Sequence, residues 1–133
     1  MDKRSHTQKV PSVSLKEAKR IFDAGSAAVF VDVRSRFAYD QAHILNADSL
    51  PLDYIEDLWE AFSPDQELIL YDDSLYDQSA EEAAMVLRDK GFTRIKILRE
   101  GLEGWQRAGY PISRELLMED SVEIQPRFTE PWL

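Results

Sequence analysis

Apolar residues follow two alternating patterns along the chain. Residues 28–33, 67–71 and 94–98 are short, nearly continuous apolar runs. Runs of this length, rich in Val, Ile and Leu, are typical of strands buried on both faces of a parallel sheet. Between them, apolar residues recur every three or four positions, as on one face of a helix. The alternation predicts an α/β fold with a mainly parallel central sheet flanked by helices on both faces.

Capping and turn residues mark where the predicted helices begin and end. Ser14 and Glu17 form a capping box that begins a helix, and Gly25 ends it. A second capping box at 79–82 predicts Ser79 as the N-cap of a helix that ends near Gly91. The remaining short elements are a strand at 48–51 and helices at 37–42, 54–62 and 101–108, of which the 54–62 helix directs Ile55, Leu58, Trp59 and Phe62 inward.

The length of 133 residues fits one domain. We expect a polar, mobile segment at 1–12, the packed domain at 13–112 and a C-terminal extension at 113–133. Residues 121–124 of that extension have the pattern of a strand. Phe128 and Trp132 are expected to pack on the domain or on a second chain, and a homodimer through this tail is one prediction.

Composition excludes several kinds of chemistry. With no cysteine, the chain forms no disulfide, no thiolate zinc site, no Fe–S cluster and no cysteine nucleophile. The net charge is -9, and residues 37–87 contain thirteen Asp and Glu but no Lys or Arg. An acidic surface of this kind disfavours nucleic acid, whose binding depends on Lys and Arg.

The sequence also bears on location and cofactors. No apolar run is long enough to span a membrane. The first residues lack the apolar stretch of a secretory signal, so we expect a cytoplasmic protein without a membrane partner. No motif in the sequence predicts a cofactor.

The sequence contains two motifs, in the right order around strand–loop–helix units. The first motif comprises Asp32, Val33, Arg34, Phe37, Tyr39, His43, Ile44, Ala47, Leu50 and Pro51, and the second comprises Gly101, Leu102, Glu103, Gly104, Trp105, Ala108, Gly109, Tyr110 and Pro111. Together they resemble the rhodanese-like family over about residues 13–112, and the resemblance implies a rhodanese-like fold. We expect Asp32 and Arg34 to form an ion pair or loop anchor, His43 to be a hydrogen-bonded packing residue and Trp105 to belong to the core.

The resemblance also implies what this chain has lost. Active members of the family carry a cysteine directly after the strand equivalent to 68–71, in a loop whose amides and frequent arginine hold an anionic donor. Here either Asp72 or Asp73 occupies the cysteine position, and Asp77 lies about where the arginine would be. A carboxylate does not accept a sulfane sulfur, and five acids without a base in residues 72–82 repel anions. We therefore predict neither sulfurtransferase nor cysteine phosphatase activity.

We predict that the chain is a catalytically inactive rhodanese-like domain acting as a protein-binding or regulatory module. Its contact surface would be an acidic loop, and its partner a protein that carries basic residues. Two alternatives remain open: a divalent-metal-binding or carboxylate enzyme that uses Asp72, Asp73 and Asp77, and a structural subunit that self-associates through its tail. If neither applies, Asp72 and Asp73 simply accept hydrogen bonds from loop amides. The predicted binding residues are Asp72, Asp73, Ser74, Leu75, Tyr76 and Asp77.

Overall fold

The computed structural model of the chain describes residues 10–114. Its elements alternate between strands and helices, as the sequence predicts. In chain order they are β1 (Ser12–Val13), α1 (Leu15–Ala24), β2 (Val29–Asp32), α2 (Arg36–Gln41), β3 (His43–Ile44), β4 (Asp48–Ser49), α3 (Ile55–Leu58, between 3₁₀ turns at Leu52–Tyr54 and Trp59–Ala61), β5 (Leu68–Tyr71), α4 (Ser79–Asp89), β6 (Ile95–Leu98), α5 (Gly101–Arg107) and β7 (Ile112–Ser113).

Five strands form one parallel sheet in the order β1-β6-β5-β2-β4. β3 and β7 form a separate antiparallel pair. Because all strands of the main sheet run in one direction, the loops that follow them gather at its carboxyl edge. The structure therefore confirms the mainly parallel α/β fold.

A buried apolar cluster covers each face of the sheet. One cluster includes Leu68 and Leu70 with Leu87 of α4. The other includes Ile69 and Trp105 with residues of α1. Alternate residues of β5 thus serve opposite faces, which is why the strand reads as a continuous apolar run.

The two predicted capping boxes have different outcomes. The Ser14 hydroxyl accepts the amide of Glu17 at 3.1 Å, and Gly25 ends α1 with a φ of 65°, so the predicted serine cap and the end of the helix are confirmed. The Glu17 carboxylate, predicted to cap an amide, accepts from Arg20.

The second predicted capping box is wrong, because Ser79 lies inside α4 and Gln78 is its N-cap, without a side-chain cap. The Ser79 amide instead donates to the Asp72 carboxylate at 3.0 Å. An acid that lies seven residues earlier therefore replaces the serine cap.

The predicted helix at 54–62 is broken into a single α-helical turn between two 3₁₀ turns. Ile55 is buried, as predicted, and Trp59 and Phe62 pack partly against the core. Leu58 was predicted to point inward, but it is 44% exposed. The change between α and 3₁₀ geometry alters the angular step per residue, so a regular helical spacing misplaces this side chain.

Residues just outside the predicted domain, 13–112, also belong to the packed structure. Val10 is buried, and Ser12 pairs with Ile97. At the other end, Ser113 pairs with His43. The predicted strand at 121–124, Phe128 and Trp132 lie outside the described residues. Within 10–114, no helix has the length and apolar character needed to cross a membrane.

Candidate functional site

An ion pair joins the loops that follow β2 and β5. Arg34 Nη2 lies 2.8 Å from Asp32 Oδ2, and Arg34 Nη1 lies 3.0 Å from Asp73 Oδ1. Arg34 Nε donates to Asp32 as well, and Nη2 also donates to the carbonyl of Ala42. The Asp32 side chain is fully buried and that of Arg34 nearly so. The structure places the predicted Asp32–Arg34 pair as expected and extends it to Asp73.

Two carboxylates, those of Asp32 and Asp73, favour the charged form of the Arg34 guanidinium. Burial alone favours the neutral guanidine, but the hydrogen bonds and charges of Asp32 and Asp73 outweigh it and raise the Arg34 pKa above its usual value. The carboxylates thus compensate the cost of burying the guanidinium. We conclude that this group anchors the two loops rather than reacting.

Tyr71, the last residue of β5, is a site residue that sequence reasoning assigned only to the strand. Its buried hydroxyl accepts the amide of Ile44 at 2.9 Å. Burial, followed by the charge of Asp32, raises the pKa of Tyr71 above its usual value. The sequence did contain a signal for this role. Tyr71 places a hydroxyl at the end of an apolar run, and a buried tyrosine hydroxyl needs a hydrogen-bond partner.

Asp72 closes the loop that follows β5 with its own carboxylate. The side chain accepts the Asp73 amide on Oδ1 at 2.7 Å and the Ser79 amide on Oδ2 at 3.0 Å. Burial raises the Asp72 pKa, as does the nearby charge of Asp77, while the two amides oppose that rise. The prediction that loop amides bond the aspartates is confirmed for Asp72, whereas the Asp73 carboxylate bonds Arg34.

Helix α5 fixes the start of the loop through its amino terminus. The carbonyl of Asp72 accepts the Leu102 amide at 2.9 Å, and that of Asp73 accepts the Glu103 amide at 2.8 Å. Gly101 has a φ of 65°, and a Cβ built there would lie 2.5 Å from the Asp72 carbonyl oxygen. Glycine is therefore required at this position for close approach as well as for its backbone angle.

The tip of the loop is open to solvent. Leu75 is 60% and Tyr76 87% exposed, as predicted. Ser74 shapes the turn, since its hydroxyl accepts the Tyr76 amide and its carbonyl accepts the Asp77 amide. The cavity beneath the loop has a volume of about 20 Å³, which is room for about one water molecule.

The loop acids are less isolated than the sequence suggested. No base occurs among residues 72–82, but Arg34 contacts Asp73, and Arg99 lies 3.1 Å from Glu81. Two of the five acids thus have a basic partner that the local sequence does not reveal, because these arginines come from other loops of the same sheet edge. Oxygens of Asp72, Asp73 and Asp77 lie within 4.8 Å of one another, so the predicted group of acids is brought together.

The other motif residues are integrated into the fold. His43 is buried, its Nδ1 lies 2.7 Å from the Tyr39 carbonyl, and its ring stacks on that of Tyr39. Trp105 is fully buried and donates its indole N–H to the carbonyl of Pro111 at 2.7 Å. Both have the packing roles predicted for them.

Known proteins share this architecture. A family model described as "Rhodanese-like domain" matches residues 14–108. The chain is similar in structure to the BH2092 protein of Bacillus halodurans, at 26% identity and a TM-score of 0.74 over 86% of this chain and 84% of that one. It is also similar to the thiosulfate sulfurtransferase of Pseudomonas aeruginosa, at 30% identity and a TM-score of 0.71.

Two of these similarities cover only part of a longer protein. The match with the Pseudomonas sulfurtransferase covers 80% of this chain and 20% of that chain. Centrosomal protein of 41 kDa from Xenopus tropicalis is 29% identical over an alignment of 84 positions, and the match covers 56% of this chain and 22% of that protein. The chain thus spans about a fifth of the length of each.

Proposed function

Because the chain belongs to the family of rhodanese-like domains yet contains no cysteine, we propose that it is a non-catalytic member that binds another protein. The observation that carries the proposal is the carboxylate of Asp72. It accepts two loop amides, those of Asp73 and Ser79, and the surface beside it is exposed and partly apolar.

We infer that Asp72, rather than the neighbouring Asp73, stands where active members of the family carry the cysteine. It comes directly after β5, and its carboxylate takes up the amides of Asp73 and Ser79. Backbone amides beside a helix amino terminus are the donors that stabilise a bound anion or a thiolate. In this chain a side chain already uses them, and a carboxylate does not accept a sulfane sulfur. Cysteine-dependent sulfur transfer and phosphate ester hydrolysis are therefore lost.

The loop tip is the proposed contact surface. Leu75 and Tyr76 are exposed, while the backbone below them is held by Asp72 and by α5. A large aromatic side chain on a rigid support is typical of interface centres. Asp73 and Asp77 flank it with negative charge, so a basic partner segment with an apolar residue fits this surface.

A pull-down from native extract tests this surface. The bait proteins are the wild type, a Leu75→Ser/Tyr76→Ser variant, and a control variant Tyr54→Ser/Leu58→Ser, which removes exposed apolar side chains from α3 and the 3₁₀ turn before it. We expect a protein that the wild type and the control retain and the loop variant loses. Capture should weaken at high salt, because exposed charges are screened.

The Asp77→Lys variant tests the sign of the charge. It reverses the charge of an exposed carboxylate that accepts the Ser74 hydroxyl at 3.4 Å, and we expect it to reduce retention of the same protein. Each bait is first matched to the wild type by circular dichroism and melting temperature. Identical retention by the wild type and the Leu75→Ser/Tyr76→Ser variant would overturn the loop as the contact surface.

The convergence of Asp72, Asp73 and Asp77 favours one second candidate, a divalent-cation site. Carboxylate oxygens are the ligands that Mg²⁺ and Ca²⁺ prefer. However, both oxygens of Asp72 accept backbone amides, and Asp73 bonds Arg34. A cation would have to compete with these bonds, so protein binding is the better supported function.

A further inference from the structure

Phe37 is an exposed aromatic side chain that the packing of the fold does not use. It is 73% exposed, and among residues 10–114 only Tyr76 is a more exposed large apolar side chain. Phe37 lies on α2 two positions before the buried Tyr39. Residues two positions apart on a helix lie on different faces, so the packing of Tyr39 leaves Phe37 in solvent. The solvent face of a helix usually carries polar residues, so the folding of α2 does not account for a phenylalanine here.

An ion pair connects the loop that leads to Phe37 with the loop that carries Tyr76. β2 and β5 are adjacent and parallel, and Arg34 Nη1 after β2 lies 3.0 Å from Asp73 Oδ1 after β5. Phe37 follows Arg34 by three residues, and Tyr76 follows Asp73 by three. Three residues of chain span at most about 11 Å. Two joined loops at the carboxyl edge of the sheet thus each carry an exposed aromatic side chain.

The surface around this ion pair is acidic. The side chain of Asp73 is 62% exposed, whereas that of Arg34 is nearly buried. Asp77 is exposed as well. The exposed base on α2 is Arg36, and its charge is compensated by Asp40, whose Oδ1 lies 2.9 Å from the Arg36 Nε. A ligand that crosses from one loop to the other therefore meets negative charge between two aromatic contacts.

We propose that Phe37 and the loop tip, Leu75 and Tyr76, bind one extended segment of the partner protein. Its central Lys or Arg lies against Asp73 and Asp77, and an apolar residue on each side of it contacts one aromatic side chain. The assignment rests on the proposed function and defines its partner more closely. A second copy of this chain is a poor occupant, because its acidic loop would meet another acidic loop.

Photo-crosslinking in the full-length chain tests the shared segment. One protein carries p-benzoylphenylalanine in place of Phe37 and another in place of Tyr76, so an aromatic ring remains at each position. The control carries it in place of Leu45, which lines a groove with Val29 and Asp48. These two are the first residues of β2 and β4, so the control lies at the opposite edge of the sheet.

We expect the probes at positions 37 and 76 to label one segment of the same protein when they are irradiated in native extract. The two labelled sites should lie within about ten residues of each other, since an extended chain advances about 3.3 Å per residue. A Lys or Arg should lie between them. The probe at position 45 should not label this segment.

The outcomes separate the shared segment from the proposed function. The shared segment is overturned if only one of the two positions labels a protein, if neither does, if they label different segments, or if the labelled protein is another copy of this chain. The pull-down described above decides the proposed function on its own. That function fails only where the wild type and the Leu75→Ser/Tyr76→Ser variant retain the same proteins.

A synthetic peptide of the labelled segment then measures the contribution of Phe37. We expect Phe37→Ser to weaken peptide binding at least about tenfold, as the loss of an anchoring aromatic residue does, and Leu45→Ser to leave it unchanged. A peptide whose Lys or Arg is replaced by Gln should bind more weakly and with less dependence on salt. Circular dichroism checks that each variant is folded. Equal affinity of the wild type and Phe37→Ser would overturn the contact with Phe37.

Discussion

Arg34 is the side chain on which the site most depends, because it neutralises a fully buried carboxylate. Removing one partner of a buried ion pair leaves an uncompensated charge, which costs about 3–5 kcal/mol. We expect Arg34→Ala to lower the free energy of unfolding by that amount. The exposed pair of Arg20 and Glu17 provides the control, since Arg20→Ala should cost less than about 1 kcal/mol. Urea denaturation measures both, and equal losses would contradict the anchoring role of Arg34.

The raised pKa of Asp72 predicts a pH dependence with a definite sign. Burial, together with Asp77, makes the folded-state pKa of Asp72 higher than its unfolded value, which is about 3.9. Between these two values the folded protein binds more protons than the unfolded one, so the contribution of Asp72 to stability falls as the pH rises. It is constant above the folded-state pKa.

The Asp72→Asn variant isolates this titration. Asparagine accepts one amide fewer than the carboxylate, which changes the free energy of unfolding by an amount independent of pH. It has no titrating proton, so it makes no pH-dependent contribution at this position. The free energy of unfolding of the wild type minus that of Asp72→Asn should therefore decline from about pH 4 upward and then level. A difference that stays flat, or that rises with pH, would show that the carboxyl is not shifted in this direction.

At the scale of the elements, the contact between α5 and the loop after β5 depends on Gly101. Gly101→Ala would bring a Cβ to 2.5 Å from the Asp72 carbonyl and also strain a φ of 65°. Gly109 is the matched control, because its φ is 80° but a Cβ there meets nothing within 4 Å. The control should cost about 1 kcal/mol of unfolding free energy. Gly101→Ala should lower the free energy of unfolding by about 1–3 kcal/mol more than the control does, as measured by thermal or urea unfolding.

The elements that the sequence predicted correctly are those set by local patterns. β2, β5 and β6 are apolar runs, and Ser14 caps α1 through a residue only three positions away. The errors arise where a residue distant in sequence, or a change of helix geometry, determines the hydrogen bonding or the exposure of a side chain. The Ser79 amide is taken by Asp72 from across the loop, and Leu58 lies beside a change of helix type.

The candidate site shows the same limit. Its position after β5 and the exposure of Tyr76 could be predicted from the order of strand, acids and helix. The contact of Arg34 with Asp73 joins residues 39 positions apart, and no local pattern encodes it. The parallel sheet creates it by bringing the ends of neighbouring strands to one edge.

For the molecule as a whole, a rhodanese-like fold is present in a chain that contains no cysteine. We expect no thiocyanate above the buffer background when the purified chain is given thiosulfate and cyanide. The Asp72→Ser variant should be equally inactive, because the missing group is the thiolate. Turnover by the wild type that scales with protein concentration and survives repurification would contradict the proposed loss of catalysis.

The response of the whole chain to divalent cations separates protein binding from the metal-binding alternative. A cation that binds the folded state alone raises the melting temperature according to its concentration and affinity. Because Asp72 and Asp73 already bond amides and Arg34, millimolar Mg²⁺ or Ca²⁺ should shift the melting temperature by no more than about 1 °C. The Asp77→Asn variant is the control, since it removes the carboxylate that is most open to a ligand. A rise of several degrees in the wild type that is lost in Asp77→Asn would establish a cation site and make metal binding the better account of the loop.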